Sequence, residues 1–260
     1  MAEYTPQFSS FKIISKLTLF NQFLFWSILF LSIFPVVAKD LCENNNLSNT
    51  INILNIISIS LFFVIEILSN FILIPNAENI RRDDFIDNSF GSKFSPNNSI
   101  GYFDNEEIKK GLYKAAVNLF ENCFFTYSLI KSITSKKVIS SAIVLLSIIV
   151  IAYYGFKEVP FGLTLLRTLF SANLLGLLIK HLILLVRLKV IQDSWITLFH
   201  NDDLQTNTQK YQSSIYRYWL QYESLLSKIS PGIPEKIYNI LNPELTKAWE
   251  KMKINYNIKI

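Results

Sequence analysis

Charge is scarce in this chain. Of 260 residues only 17% are Asp, Glu, Lys or Arg, against about 25% in an ordinary soluble domain. That scarcity excludes a disordered or nucleic-acid-coating chain, despite a formal net charge of +5 and a pI near 9.0. Direct DNA binding is therefore not expected. Glycine (7) and proline (8) are too few for collagen-like or Gly-rich low-complexity designs. Two cysteines make no disulfide framework and no zinc-type spacing. The two histidines, His181 and His200, give little scope for acid–base chemistry. The Gly-rich phosphate loop, the GxSxG elbow and the HExxH pair are all missing. The chain is not read as an enzyme, and no catalytic residue, metal or cofactor is expected.

What the chain has is apolar sequence: half its residues are hydrophobic, 21 of them Phe, and mean hydropathy is +0.29. These residues lie in four long blocks, Leu17–Ala38, Ile51–Ile74, Val138–Phe156 and Phe161–Val186. The first would extend roughly 33 Å as a helix at about 1.5 Å per residue, enough for a hydrocarbon core of about 30 Å. Glu66 interrupts the second, which is expected to stop at Pro75. The fourth contains Arg167, Lys180 and His181. It spans if the two long cations snorkel to opposite interfaces, and a re-entrant helix is its alternative.

Lysine and arginine set the orientation. The loops after the first and third blocks hold only Lys39 and Lys157. Apart from Arg167 and Lys180, every other Lys and Arg lies in the termini or in the segment between the second and third blocks. The expected fold is all-α: a four-span helical membrane protein with a cytoplasmic helical insertion between spans 2 and 3 and a helical C-terminal tail. Its parts are residues 1–75, 76–137, 138–187 and 188–260, in the inner (cell) membrane with both termini cytoplasmic. The long first block favours an uncleaved signal-anchor over cleavage after Val36-Val37-Ala38. Cys42 and Cys123 fall on opposite sides of this topology and cannot pair within one chain.

In the insertion, a helix is expected from about Glu106 to Thr134, started by a reciprocal cap between Asp104 and Glu107; it runs into the third span, with a break near Lys136-Lys137 as its alternative. Residues after Arg187 extend the fourth helix to Phe199. Asn201, Asp202 and Asp203 cap the next helix, which runs to about Ile229. Ser230–Pro234 breaks it, and Asn242-Pro243-Glu244 starts another. Tyr211, Tyr216, Tyr218, Trp219 and Tyr222 concentrate aromatic surface on this tail.

The candidate functional residues are the polar groups that lipid makes costly. An acid near mid-bilayer costs about 2.5–3.5 kcal/mol. Glu66 shares one face of its helix with Asn52, Asn55 and Asn70, about 12 Å from the cytoplasmic end. Ser140, Ser147 and Tyr154 make a milder stripe on the third span. Ala172, Gly176 and Lys180 make a small-residue surface on the fourth that ends in a cation. Asn52, Asn55, Glu66, Asn70, Arg167, Ala172, Gly176 and Lys180 are the candidate pore or assembly residues. Glu66 pairs with Lys180 on one reading; on the other these groups are polar glue between packed helices. In the insertion, Arg81, Arg82, Phe85 and Lys93 are placed to grip phosphates and stack bases as a trigger site. The competing reading is a basic pair held at the anionic leaflet, with aspartates as helix caps.

The order of spans, beside RRDDFIDNSFG (81–91) and GYFDNEEIKKGLYKAAVNLFENCFF (101–125), resembles the SMODS-associated four-TM pore-forming effectors of CBASS-type bacterial anti-phage systems. The resemblance lies in layout, and no family site is carried onto these residues. It implies a dormant inner-membrane effector. A cyclic-nucleotide ligand or a protein partner from the same locus would trigger it; it would then form a homo-oligomer and permeabilise the lipid bilayer. A rival from another class is a non-conducting membrane sensor or scaffold that recruits a cytoplasmic partner through the aromatic tail. A small transporter subunit is a third, disfavoured by the lack of an internal repeat of spans.

Overall fold

The second apolar block does not end at Pro75. In the computed structural model, which describes residues 5–37, 45–100, 105, 107–155 and 174–258, α2 (Asn45–Leu68) passes through a π-helical turn, Ser69–Leu73, into α3 (Ile74–Phe90). A proline ring collides with the carbonyl four residues back and offers it no N–H. The wider turn resolves this, because Ile74 N–H donates to the Ser69 carbonyl five residues back. The expected stop at Pro75 is thereby corrected, and RRDDF lies on a helix. α3 ends at Gly91, whose φ of 78° suits a glycine just past a helix end.

Every regular element among the described residues is helical. α1 is Phe8–Val37, α4 Leu112–Gly155, α5 Leu174–Phe199, α6 Gln212–Lys228 and α7 Glu235–Asn255. Other expectations about helix ends are corrected. α4 begins at Leu112 rather than Glu106, so Glu107 lies before the helix; Asp104 is outside the described residues. The chain instead enters α4 through Gly111, at φ 146°, whose N–H donates to the Ser89 carbonyl at 2.8 Å. α4 does continue into the third apolar block as expected, without the break at Lys136-Lys137, since two exposed lysines cost a helix nothing. Pro243 sits inside α7 instead of starting a helix; the carbonyl it leaves without a donor belongs to Asn239, which is exposed to water. Asn201–Asp203 do not cap α6 either. The chain passes through a turn and the 3-10 segment Thr208–Tyr211, and Asp203 accepts from Tyr211 and Lys210 instead.

The chain divides into two units. The first comprises Met1–Phe11, Pro75–Ser135 and Lys180–Ile260. Its centre is the start of α4, where residues 114–121 are buried on every side. Phe120 stacks on Phe199 at 5.0 Å and meets the rings of Trp249 (5.3 Å) and Tyr256 (5.7 Å) edge-on. Leu184, Leu188, Ile191 and Trp195 of α5 and Ile215, Tyr222 and Leu226 of α6 complete the core. Tyr222 is thus core rather than tail surface, its hydroxyl 3.0 Å from that of Thr126.

The second unit comprises Lys12–Ile74 and Lys136–Ile179. Many of its large apolar residues are exposed: Phe23, Trp26 and Phe30 on α1, Ile56, Phe63 and Ile67 on α2, Phe71 in the π turn, Ile139 and Leu146 on α4. Among the described residues one helix, Asn46–Phe90, is long and apolar enough to cross a membrane, and none of its most apolar stretch is buried. Much of the expected fourth span, residues 161–173, lies outside the described residues, as do Ala38 and Cys42.

Candidate functional site

Two polar clusters emerge, one in each unit. In the second unit, α1 and α2 meet at Glu66. Asn21 Nδ2 donates to Glu66 Oε2 at 3.0 Å, and Asn70 Nδ2, in the π turn just past α2, donates to Oε1 at 2.8 Å. Each carboxylate oxygen receives one amide N–H, so the acid is held without a cation. Asn21 is only 7% exposed, whereas Glu66, Asn70 and Asn52 all stay exposed and Asn55 is half-buried. Sequence reasoning found the stripe on α2 but missed Asn21. The signal was there, since Asn21 and Gln22 are the amides of an otherwise uncharged apolar block.

The other assembly candidates are dispersed. Gly176 is half-buried on α5, and Lys180 on the same helix is exposed and belongs to the first unit. Arg167 and Ala172 lie outside the described residues. Ser140 is exposed on α4. Next to Lys180, His181 is buried, with Nε2 2.9 Å from Thr134 Oγ1.

In the first unit, Arg81 and Arg82 project from α3 toward α6. Arg81 contacts Glu78 through Nε (2.8 Å) and Glu223 through Nη2 (2.6 Å). Arg82 Nε reaches the same Glu223 oxygen at 2.9 Å, and its Nη1 donates to Asn79 Oδ1 at 3.2 Å. Two cations and two carboxylates thus form a largely buried cluster of zero net charge. Burial alone would lower the affinity of Arg81 for its proton, but the adjacent Glu223 and Glu78 outweigh it and hold the guanidinium firmly charged. Phe85 is 1% exposed and packs edge-on against Trp219 at 5.3 Å, so its ring has no free face for a base. Lys93 is exposed on the loop beyond Gly91. The structure therefore brings Arg81, Arg82 and Phe85 together as a seam between α3 and α6, and leaves Lys93 apart from it.

The aspartates of this stretch hold the following loop. Asp87 accepts the backbone N–H groups of Phe94 (2.9 Å) and Ser95 (2.7 Å), and Asp84 accepts that of Ser99 (2.7 Å). Burial raises the Asp84 carboxyl above its usual range, and the Ser99 hydrogen bond offsets this only in part. Below them Asn105 donates to Asn118 Oδ1 (2.9 Å) and Glu121 Oε2 (2.6 Å), while Asn118 donates to Asn88 and Ser89. This buried network ties the loop to α4.

No family model, curated protein or solved structure matches the chain.

Proposed function

We propose that this chain is a four-span inner-membrane effector of a bacterial anti-phage system, which oligomerises and permeabilises the membrane when triggered. In this reading the second unit lies in lipid. The first unit, with both termini, lies in the cytoplasm and receives the trigger, a cyclic nucleotide or a protein partner from the same locus. The observation that carries the reading is the pairing of exposed apolar surface with Glu66 on one helix. Phe63, Ile67 and Phe71 face outward on the helix that carries the acid. Lipid tolerates the first and penalises the second, so a face with both suits a helix that meets a neighbour or a water path at Glu66.

The clamp on Glu223 suggests how a trigger would act. A phosphate ligand at Arg81 and Arg82 must displace Glu223, which would loosen α6 from α3. The test is a membrane-potential dye in cells that express the complete system, with and without phage. Depolarisation only on infection, lost with Glu66→Ala, is expected. A steady potential in infected cells, with a soluble protein co-purifying on the tail, would instead indicate the non-conducting scaffold.

A further inference from the structure

We propose that the exposed polar edge of α2 and the π turn that follows it, made by Asn52, Glu66 and Asn70, is the face on which a second copy of this chain docks, α2 against α2. The proposal rests on the membrane reading above and adds to it the partner and the contact. Glu66 is satisfied only partly within one chain: each carboxylate oxygen takes one amide N–H, and a carboxylate has room for about four. Asn70 spends one of its two N–H groups on Glu66, yet the residue remains exposed, as does Asn52 at the other end of the helix. Lipid offers these groups no hydrogen bond. A second copy does. All copies insert in the same orientation, so each depth on α2 meets the same depth on its neighbour. Amide then faces amide at Asn52 and at Asn70, while the two Glu66 carboxylates come level, each held by the amides of its own chain and one turn from the facing Asn70. Amides both donate and accept, which makes the edge self-complementary in the manner of an isologous interface. The opposite side of α2, with Ile57 and Leu68, is apolar and needs only lipid.

The test is disulfide capture in native membranes with the full-length chain. Cys42→Ser and Cys123→Ala remove the native thiols, and single cysteines replace Asn52, Asn70, Ile57 or Leu68. With mild oxidant, Asn52→Cys and Asn70→Cys are expected to shift most of the chain to twice the monomer mass. Ile57→Cys and Leu68→Cys are expected to leave it monomeric. Added to Asn52→Cys, Glu66→Leu should cut the dimer band several-fold and Glu66→Gln should keep it. A membrane-bound chain with no dimer at Asn52 or Asn70, equal capture on both faces, or capture only to a different protein would overturn the proposal. A chain recovered in the soluble fraction would overturn the membrane reading itself, and the proposal with it.

Discussion

The two units use the same kinds of side chain to opposite ends. In the first, Phe120, Trp195 and Trp249 are wholly buried and their rings contact one another or Phe199. In the second, Phe23 is 64% exposed and Phe71 77%. Aromatic burial of the first kind follows from water as the solvent. Aromatic exposure of the second kind follows if the solvent is hydrocarbon, where no apolar surface needs hiding and the polar groups must find partners instead. Charges behave accordingly. The first unit neutralises Arg81 and Arg82 with Glu78 and Glu223, while the second holds Glu66 with two amides.

Mutations should separate the two designs. The largest effect is expected in the aromatic core. Phe120→Ala or Trp249→Ala should cost about 3–5 kcal/mol, since the ring contacts vanish and a cavity remains. Thermal unfolding of the purified protein in detergent checks this, and Phe23→Ala or Phe71→Ala should change the midpoint far less. Next comes Glu223→Ala, which leaves Arg82 without its carboxylate and Arg81 with Glu78 alone. A loss of about 3 kcal/mol is expected, with α6 becoming the first site of proteolytic cleavage. Asn21→Ala should cost about 1 kcal/mol, the scale of a side-chain hydrogen bond between membrane helices. Unfolding in detergent by SDS titration reads that loss.

Two smaller effects sharpen the contrast. The Asp84 carboxyl is raised in the folded state, so its contribution to stability is full below the ordinary carboxylate pKa and is lost as pH rises through the elevated one. Asp84→Asn keeps an acceptor for Ser99. Wild type should therefore gain on this variant when pH falls from 7 toward 4, as read by paired melting curves. Cys123 is fully buried beside the Leu188 carbonyl, and burial pushes its thiol far up. It should resist maleimide in the native protein and react on unfolding.

The parts of this molecule that were legible in sequence are those written by local pattern. The apolar blocks, the extension of the fourth helix to Phe199 and the break at Ser230–Pro234 all follow from runs of a dozen or so residues. Proline was the main source of misreading. At Pro75 a π turn absorbs the clash, and at Pro243 the orphaned carbonyl faces water. A rule about single residues does not see either remedy. The site was harder, because its contacts are distant in sequence: Arg81 meets a carboxylate 142 residues away, and Glu66 meets an amide 45 residues away. Charge and position flagged Arg81, Arg82 and Glu66, but only tertiary packing identifies Glu223 and Asn21 as their partners. Phe85 shows the same limit, since an aromatic beside two arginines reads alike whether it stacks on a base or on Trp219.

Residence of the second unit in lipid is read out by alkaline carbonate extraction of membranes from cells expressing the full chain. The chain is expected to stay in the membrane pellet and to be released only by detergent. Release into the carbonate supernatant would contradict it.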